Sequence, residues 1–316
     1  TERVSCSLTM NSPTPSSQPQ TPAPDQEVVI EVDDLLMQFG SQTVLTGLDL
    51  QVRRGETLVI MGGSGCGKST LLRLMIGAIA PTRGKIRLFG EDIAVASEAN
   101  LDALRKRFGI LFQSAALYQS MSIAENVALP MRELTDLPGD LIDLQVKMKL
   151  EAVGLREHAD KFPAQISGGM KKRAGLARAL ALDPEIIFYD EPSAGLDPVT
   201  SAEIDQLILT LTKKLGVTSV VVTHEMDSAF TIADRMVMLD KGRCLKIAPR
   251  ADYERIRSVS KDEAAVMPED DRIVRQFVRG DAFGPITDRR TLTSYSDDLM
   301  GLLGHMPASP SITPSR

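Results

Sequence analysis

The sequence has few cysteines. Cys6, Cys66 and Cys244 are odd in number, far apart and without metal-ligand spacing, which argues against a disulfide scaffold and a zinc site. It has no excess of basic charge. Against 42 Asp+Glu stand 36 Lys+Arg, a net charge of −6, which disfavours a general nucleic-acid binder. It also lacks a long hydrophobic run: none approaches the roughly 18 apolar residues that cross a bilayer. A soluble, cytoplasmic chain is expected. The hydrophobic share of 43% suffices for a substantial core, and 316 residues allow one large domain or two modest ones.

The two ends differ from the middle. Residues 1–27 are rich in Pro, Ser, Thr and Gln and carry little apolar surface to offset the entropy of ordering, so a disordered tail without a secretory core is expected. β-type runs follow at 28–32, 48–52 and 85–89. Short, almost wholly apolar runs at 57–61, 186–189, 218–223 and 236–239 then alternate with helical patterns, as in a parallel α/β core. Leu141, Leu144, Met148 and Leu155 recur at helical spacing and predict an amphipathic helix that buries them. Past residue 250 the alternation stops, and 251–316 reads as a helix-prone, irregular extension.

The clearest chemical motif is Gly62-Gly63-Ser64-Gly65-Cys66-Gly67-Lys68-Ser69, which fits G-x-x-x-x-G-K-[ST] between a predicted strand and a predicted helix. Glycines let the backbone curl so that successive N–H groups meet phosphate oxygens, and the helix N-terminus adds positive potential. Lys68 then reaches the β- and γ-phosphates, Ser69 ligates Mg²⁺, and Cys66 is a small filler. A second motif is Asp190-Glu191, acids at the end of a buried strand, where charge needs a compensating cation. Asp190 is expected to hold Mg²⁺ through water and Glu191 to orient an attacking water. A third is Ile166-Ser167-Gly168-Gly169-Met170, whose Ser-Gly-Gly opens a helix and offers further N–H donors. The following Lys171-Lys172-Arg173 reads as a solvated helix face.

These motifs, in this order over residues 28–250, resemble the ATP-binding-cassette (ABC) ATPases, whose LSGGQ signature appears here as ISGGM. The resemblance implies an α/β P-loop core with an antiparallel β subdomain, a helical subdomain at about 114–182, and two subunits that sandwich ATP between one P-loop and the other's signature. It also implies roles for further residues. Gln113 matches the glutamine that touches Mg²⁺, His224 the switch histidine on the γ-phosphate, and Asp197 the loop that crosses the dimer seam. Phe39 matches the aromatic that stacks on adenine, and Thr70 belongs to the nucleotide-facing set with Gly62 to Ser69.

A narrower resemblance, to ATPase subunits of Mla-type and Mce-associated lipid transporters, rests on residues 111–118, 125–133, 135–138 and 274–286, and on the SGGM variant. Ala115 and Ala124 depart from it, standing where Gly and an aromatic are common. It implies a homodimer at the cytoplasmic face of the inner membrane, moving phospholipids or related hydrophobic molecules. Its permease docks near residues 115–121 (Ala115 to Met121), an MCE-domain protein completes the complex, and nucleic acid is not a partner. A transporter of small polar solutes shares every catalytic motif and is the alternative. A soluble, non-transport ATPase is disfavoured: residues 68–167 hold no long coiled coil, and there is one cassette. The apolar cluster at 297–305 is expected to dock on the partner ATPase.

Overall fold

Every position of the strand Thr57–Gly62 is buried, so its two faces must meet two different cores. Successive side chains of a strand point to opposite sides, and the residues divide accordingly. Leu58 and Ile60 pack with one cluster, Val59 and Met61 with another. Ile186 and Phe188 against Ile187 and Tyr189, and Val220 and Val222 against Val221, repeat the split in the neighbouring strands.

A computed structural model of the chain describes residues 27–291; the expectations for the N-terminal tail and for 297–305 fall outside them. The chain opens with β1 (Val28–Phe39), β2 (Gln42–Arg53) and β3 (Thr57–Gly62), then α1 (Lys68–Met75), β4 (Arg83–Leu88) and β5 (Glu91–Asp92). Next come α2 (Glu98–Arg105) and β6 (Phe108–Leu111), then α3 (Ile123–Leu134), α4 (Gly139–Ala152) and α5 (Gly168–Ala179). β7 (Ile186–Asp190), α6 (Pro198–Leu215), β8 (Thr218–Val222), α7 (Met226–Ile232), β9 (Arg235–Asp240) and β10 (Arg243–Pro249) complete the sheets. Short helices α8 (Arg250–Ser258), α9 (Lys261–Ala264), α10 (Glu269–Arg279) and α11 (Pro285–Thr291) follow.

Two sheets result. A four-stranded antiparallel one runs β2-β1-β4-β5, and a six-stranded one runs β10-β9-β3-β8-β7-β6. From β9 to β6 the pairings are parallel; β10 joins antiparallel at one edge. α1, α2 and the antiparallel sheet share one core with the near face of the large sheet, and α3 to α8 with α10 cover the other.

Between the adjacent strands β6 and β7 the chain makes its helical excursion, α3 to α5. Ser122 and Glu125 form a capping box that starts α3. Asn126, fully buried, accepts from the Tyr118 N–H at 2.8 Å and donates to the carbonyls of Tyr118, Met121 and Ser122, fixing the loop ahead of the helix. The α4 helix is present, but it buries a different stripe from the expected one. Ile142, Val146 and Leu150 face the core, whereas Leu141, Leu144 and Met148 are 47%, 53% and 56% exposed. Leu155 is buried beyond the helix end. Two apolar stripes compete on this helix, and packing against α3 and α5 chose the one with the β-branched residues.

Close approach of α5 to β6 depends on Gly109. A Cβ there would stand 2.2 Å from the Ala179 carbonyl oxygen, so neither backbone could stay in place. Gly109→Ala is expected to lower unfolding stability by about 2 kcal/mol, through displacement of α5 rather than loss of contacts, measurable as a lower urea midpoint at unchanged m-value.

Candidate functional site

β3, β8, β7 and β6 run in parallel and finish at one edge. Their register sets Ile60 beside Val222 and Val222 beside Asp190, with Leu111 beside Tyr189. The segments that leave these four ends are therefore neighbours: Gly62–Ser69 after β3, Gln113 after β6, Glu191 after β7 and His224 after β8. Ligands of parallel sheets bind at this kind of edge.

Gly62 turns the chain out of the sheet with φ of 152°. A Cβ there would meet the Leu239 carbonyl oxygen at 2.3 Å, so no side chain fits. At Gly63 and Gly65, by contrast, a Cβ would meet nothing within 4 Å, so no neighbour crowds the loop there. Gly67 caps α1 without a side-chain acceptor, so the first N–H groups of that helix remain available to phosphate oxygens. Lys68 folds back on the loop, its Nζ donating to the carbonyls of Gly62 at 2.8 Å and Gly63 at 3.1 Å. Ser64 and Ser69 are exposed, and Thr70 is half-buried. The Cys66 thiol is buried against Gly62, and burial pushes it above the usual thiol range, in keeping with a filler rather than a nucleophile.

Asp190 is half-buried. Burial, and then the charge of Glu191, raise its carboxyl above the ordinary aspartate range, while Arg73, Lys172 and Lys68 pull it back. Two acids with incomplete compensation suit a divalent cation. Glu191 adopts the left-handed conformation, φ 49°, rare for a non-glycine residue. Its N–H donates to the Val222 carbonyl at 2.9 Å, and its carboxylate lies 2.8 Å from Nδ1 of His224, itself exposed to solvent. A carboxylate on Nδ1 selects the tautomer protonated there and leaves Nε2 for a second partner.

Ser167 caps α5, accepting from the Met170 N–H at 3.2 Å. Gly168 and Gly169 lie against Leu196 and Thr200, so the Ser-Gly-Gly turn sits by the loop preceding α6. Among the described residues, no hydrogen bond joins it to the P-loop of the same chain. The Asp197 carboxylate caps α6, accepting from the N–H groups of Val199 and Thr200 and from the Thr200 hydroxyl, and these bonds hold it below the usual range. Phe39 ends β1 with half its surface exposed, free to stack rather than buried in the core. Its hairpin leads to Leu45, which abuts Gly67.

The basic triplet differs from the expected solvated face. Lys172 is 5% exposed, with Nζ 2.8 Å from the Glu191 carbonyl oxygen; Arg173 pairs with Glu203 at 2.6 Å and donates to the Val153 carbonyl. Burial depresses the Lys172 ammonium, against the charges of Asp190, Glu191 and Glu225. Arg178, further along α5, donates to the carbonyls of Ala115 at 2.9 Å and Ala116 at 2.7 Å. Both alanines have positive φ, 60° and 48°, just past the exposed Gln113. Ala115 and Leu117 are buried, and the large apolar side chains this loop leaves exposed are Phe112 and Tyr118. Sequence reasoning missed Lys172 and Arg178. They are two of four cations on a helix otherwise rich in Ala and Gly, and nothing local marks them out from Lys171 and Arg173.

The family model described as ABC transporter matches residues 45–194. The intermembrane phospholipid transport system ATP-binding protein MlaF of Escherichia coli (strain K12) is 42% identical over 273 residues, covering 86% of this chain and 96% of that protein. The probable ribonucleotide transport ATP-binding protein mkl of Mycobacterium tuberculosis (strain H37Rv) is also 42% identical, over 259 residues, 82% of this chain and 68% of the other. Among solved structures, cbiO1 from Clostridium perfringens, part of the ABC transporter complex cbiONQ, superposes with a TM-score of 0.68 at 30% identity, covering 74% of this chain and 95% of that one. The dimeric post-hydrolysis state of the ATP-binding cassette MJ0796 bound to ADP and Pi gives 0.65 at 29% identity, covering 70% and 98%. Identity of this extent, over nearly the full length of a relative, makes the chain a member of the ABC transporter ATP-binding family, an ATPase.

Proposed function

We propose that this ATPase powers the movement of phospholipids or related hydrophobic molecules through a membrane permease, working as a dimer that closes on two ATP molecules. The observation that carries the cargo is the 42% identity to MlaF over 96% of that protein, well beyond the nucleotide-binding segment alone. The dimer is supported by the Ser167–Gly169 turn, which lies beside the loop before α6 with its helix N-terminus available to a second copy, and by the dimeric form of MJ0796.

Phosphoryl transfer needs positioning and charge stabilisation more than covalent help. Lys68 exchanges its two loop carbonyls for the β- and γ-phosphates, and the amides after Gly62 line the opened cradle. Phe39 covers the adenine. Glu191, the acid nearest the transferring group, accepts the hydrogen bond that aims the attacking water. His224, held at Nδ1 by the Glu191 carboxylate, offers its other ring nitrogen to the γ-phosphate. The Ser167–Gly169 amides and Asp197 of the other subunit close the pocket. Among the described residues there is no cluster of three or more His, Cys, Asp or Glu to cage a metal. The oxygen donors of Ser69, Asp190 and Gln113 fit a hard divalent cation: they would hold Mg²⁺, which would neutralise phosphate charge.

Among the described residues no helix is long and apolar enough to cross a membrane, so attachment to the inner face of the membrane runs through the permease. Phe112 and Tyr118, beside Gln113, are the exposed apolar groups to receive it, and an MCE-domain protein completes the complex. Similarity to mkl, named for ribonucleotide transport, supports a second reading in which the cargo is small and polar. Isolation of the tagged chain from solubilised membranes decides between them: co-purification of a multi-span permease and an MCE-domain protein is expected, whereas a solute-binding protein in their place would support the second reading.

Two substitutions separate binding from chemistry. Glu191→Gln is expected to keep ATP affinity and to lower turnover by about 10²-fold or more in a phosphate-release assay. Lys68→Ala removes charge-assisted hydrogen bonds of about 1.5–3 kcal/mol and is expected to weaken nucleotide binding itself by roughly tenfold or more, read by calorimetric titration.

A further inference from the structure

Three parts of the ATP machinery meet a single helix. α5 begins at the Ser-Gly-Gly turn, carries Lys172 one turn later, and near its end places Arg178 on the loop that follows Gln113. Lys172 is the least expected of these. A lysine with 5% exposure has lost nearly all its water; its hydrogen bond goes to a neutral carbonyl oxygen, and the charges of Asp190, Glu191 and Glu225 act on it from nearby. An apolar side chain of similar length would fill the space at lower cost, so packing does not account for an ammonium here.

The oxygen it meets belongs to Glu191 and also receives the Ala194 N–H at 3.3 Å. On its other side Glu191 is fixed by the 2.9 Å bond from its N–H to Val222. Left-handed backbone at a glutamate persists only where surroundings over-determine it, and here they do: β8 holds the amide, Lys172 the carbonyl. Rotation of the peptide after Glu191 would break the Lys172 contact and free the backbone to leave the left-handed conformation from which the carboxylate meets His224.

We propose that Lys172 is a positioning residue for hydrolysis, holding the Glu191 backbone so that its carboxylate is aimed at the attacking water, and that it ties this aim to the Ser-Gly-Gly turn one helical turn away. The proposal rests on the reading of Glu191 as the water-orienting group. In the closed dimer the turn touches the nucleotide of the other subunit while Lys172 serves the chain's own. Docking at one pocket is thereby transmitted to the acid of the second.

The test compares Lys172→Met, which keeps bulk without a donor, and Lys172→Gln, which keeps an N–H donor, in the full chain with Mg-ATP. The Met variant is expected to lose about tenfold in kcat with KM and ADP affinity within about twofold, and Gln to recover at least about threefold of that loss. In a Glu191→Gln background the Met substitution is expected to change residual turnover by less than about twofold, since Lys172 acts through Glu191. The proposal is overturned by a Met variant that turns over at the parent rate. Loss of kcat and ADP affinity together, Gln no better than Met, or a multiplicative loss in the Glu191→Gln background would each overturn it as well. Near-parent turnover in Glu191→Gln alone would instead sink the reading of Glu191, an outcome distinct from any of these.

Discussion

Four parallel strands ending together is the constraint on which the remainder depends. A strand flanked on both sides by parallel partners has its hydrogen bonds committed in register, so Ile60, Val222 and Asp190 are held in one row across the sheet. The phosphate loop, the acid pair and the histidine are continuations of that row. They converge because the sheet leaves them nowhere else to go. The two cores above and below, split by side-chain alternation, hold the edge rigid, and a rigid edge is what a reaction run by positioning demands.

The helical excursion between β6 and β7 packs on the sheet through a shared apolar core and adds a few polar ties beside this edge. Arg178 reaches back to the Ala115 and Ala116 carbonyls, Lys172 to that of Glu191, and Arg173 bridges to Glu203. Polar ties of this kind are directional and break at defined distances, whereas apolar packing tolerates sliding.

Much of the site was legible in the sequence because its chemistry is local. Gly62 to Ser69 sits between a strand and a helix in eight consecutive residues, and Asp190-Glu191 ends an apolar run. The residues that were not legible act across long separations. Lys172 reads as part of a basic surface triplet until the fold turns it inward, and Arg178 finds its partners 62 and 63 residues away. The α4 helix shows the other limit. Its period was correct, but Ile142, Val146 and Leu150 form a stripe as apolar as Leu141, Leu144 and Met148, and only neighbours choose between faces. Asp197 is a mixed case: its helix-capping role follows from Asp before Pro198 at the start of a helix, a local pattern that a reading focused on the dimer seam passed over.

Ala115 and Ala116 have a mechanical consequence. Two successive L-residues in the left-handed region are held above their resting energy, each by about 1–2 kcal/mol, and the guanidinium of Arg178 is the latch that keeps them there. The segment joining sheet to helices is therefore a sprung joint. Any displacement of α5 that lifts Arg178 off those two carbonyls removes a restraint on this strained pair, so the conformation of the joint is tied to the seat of the helix.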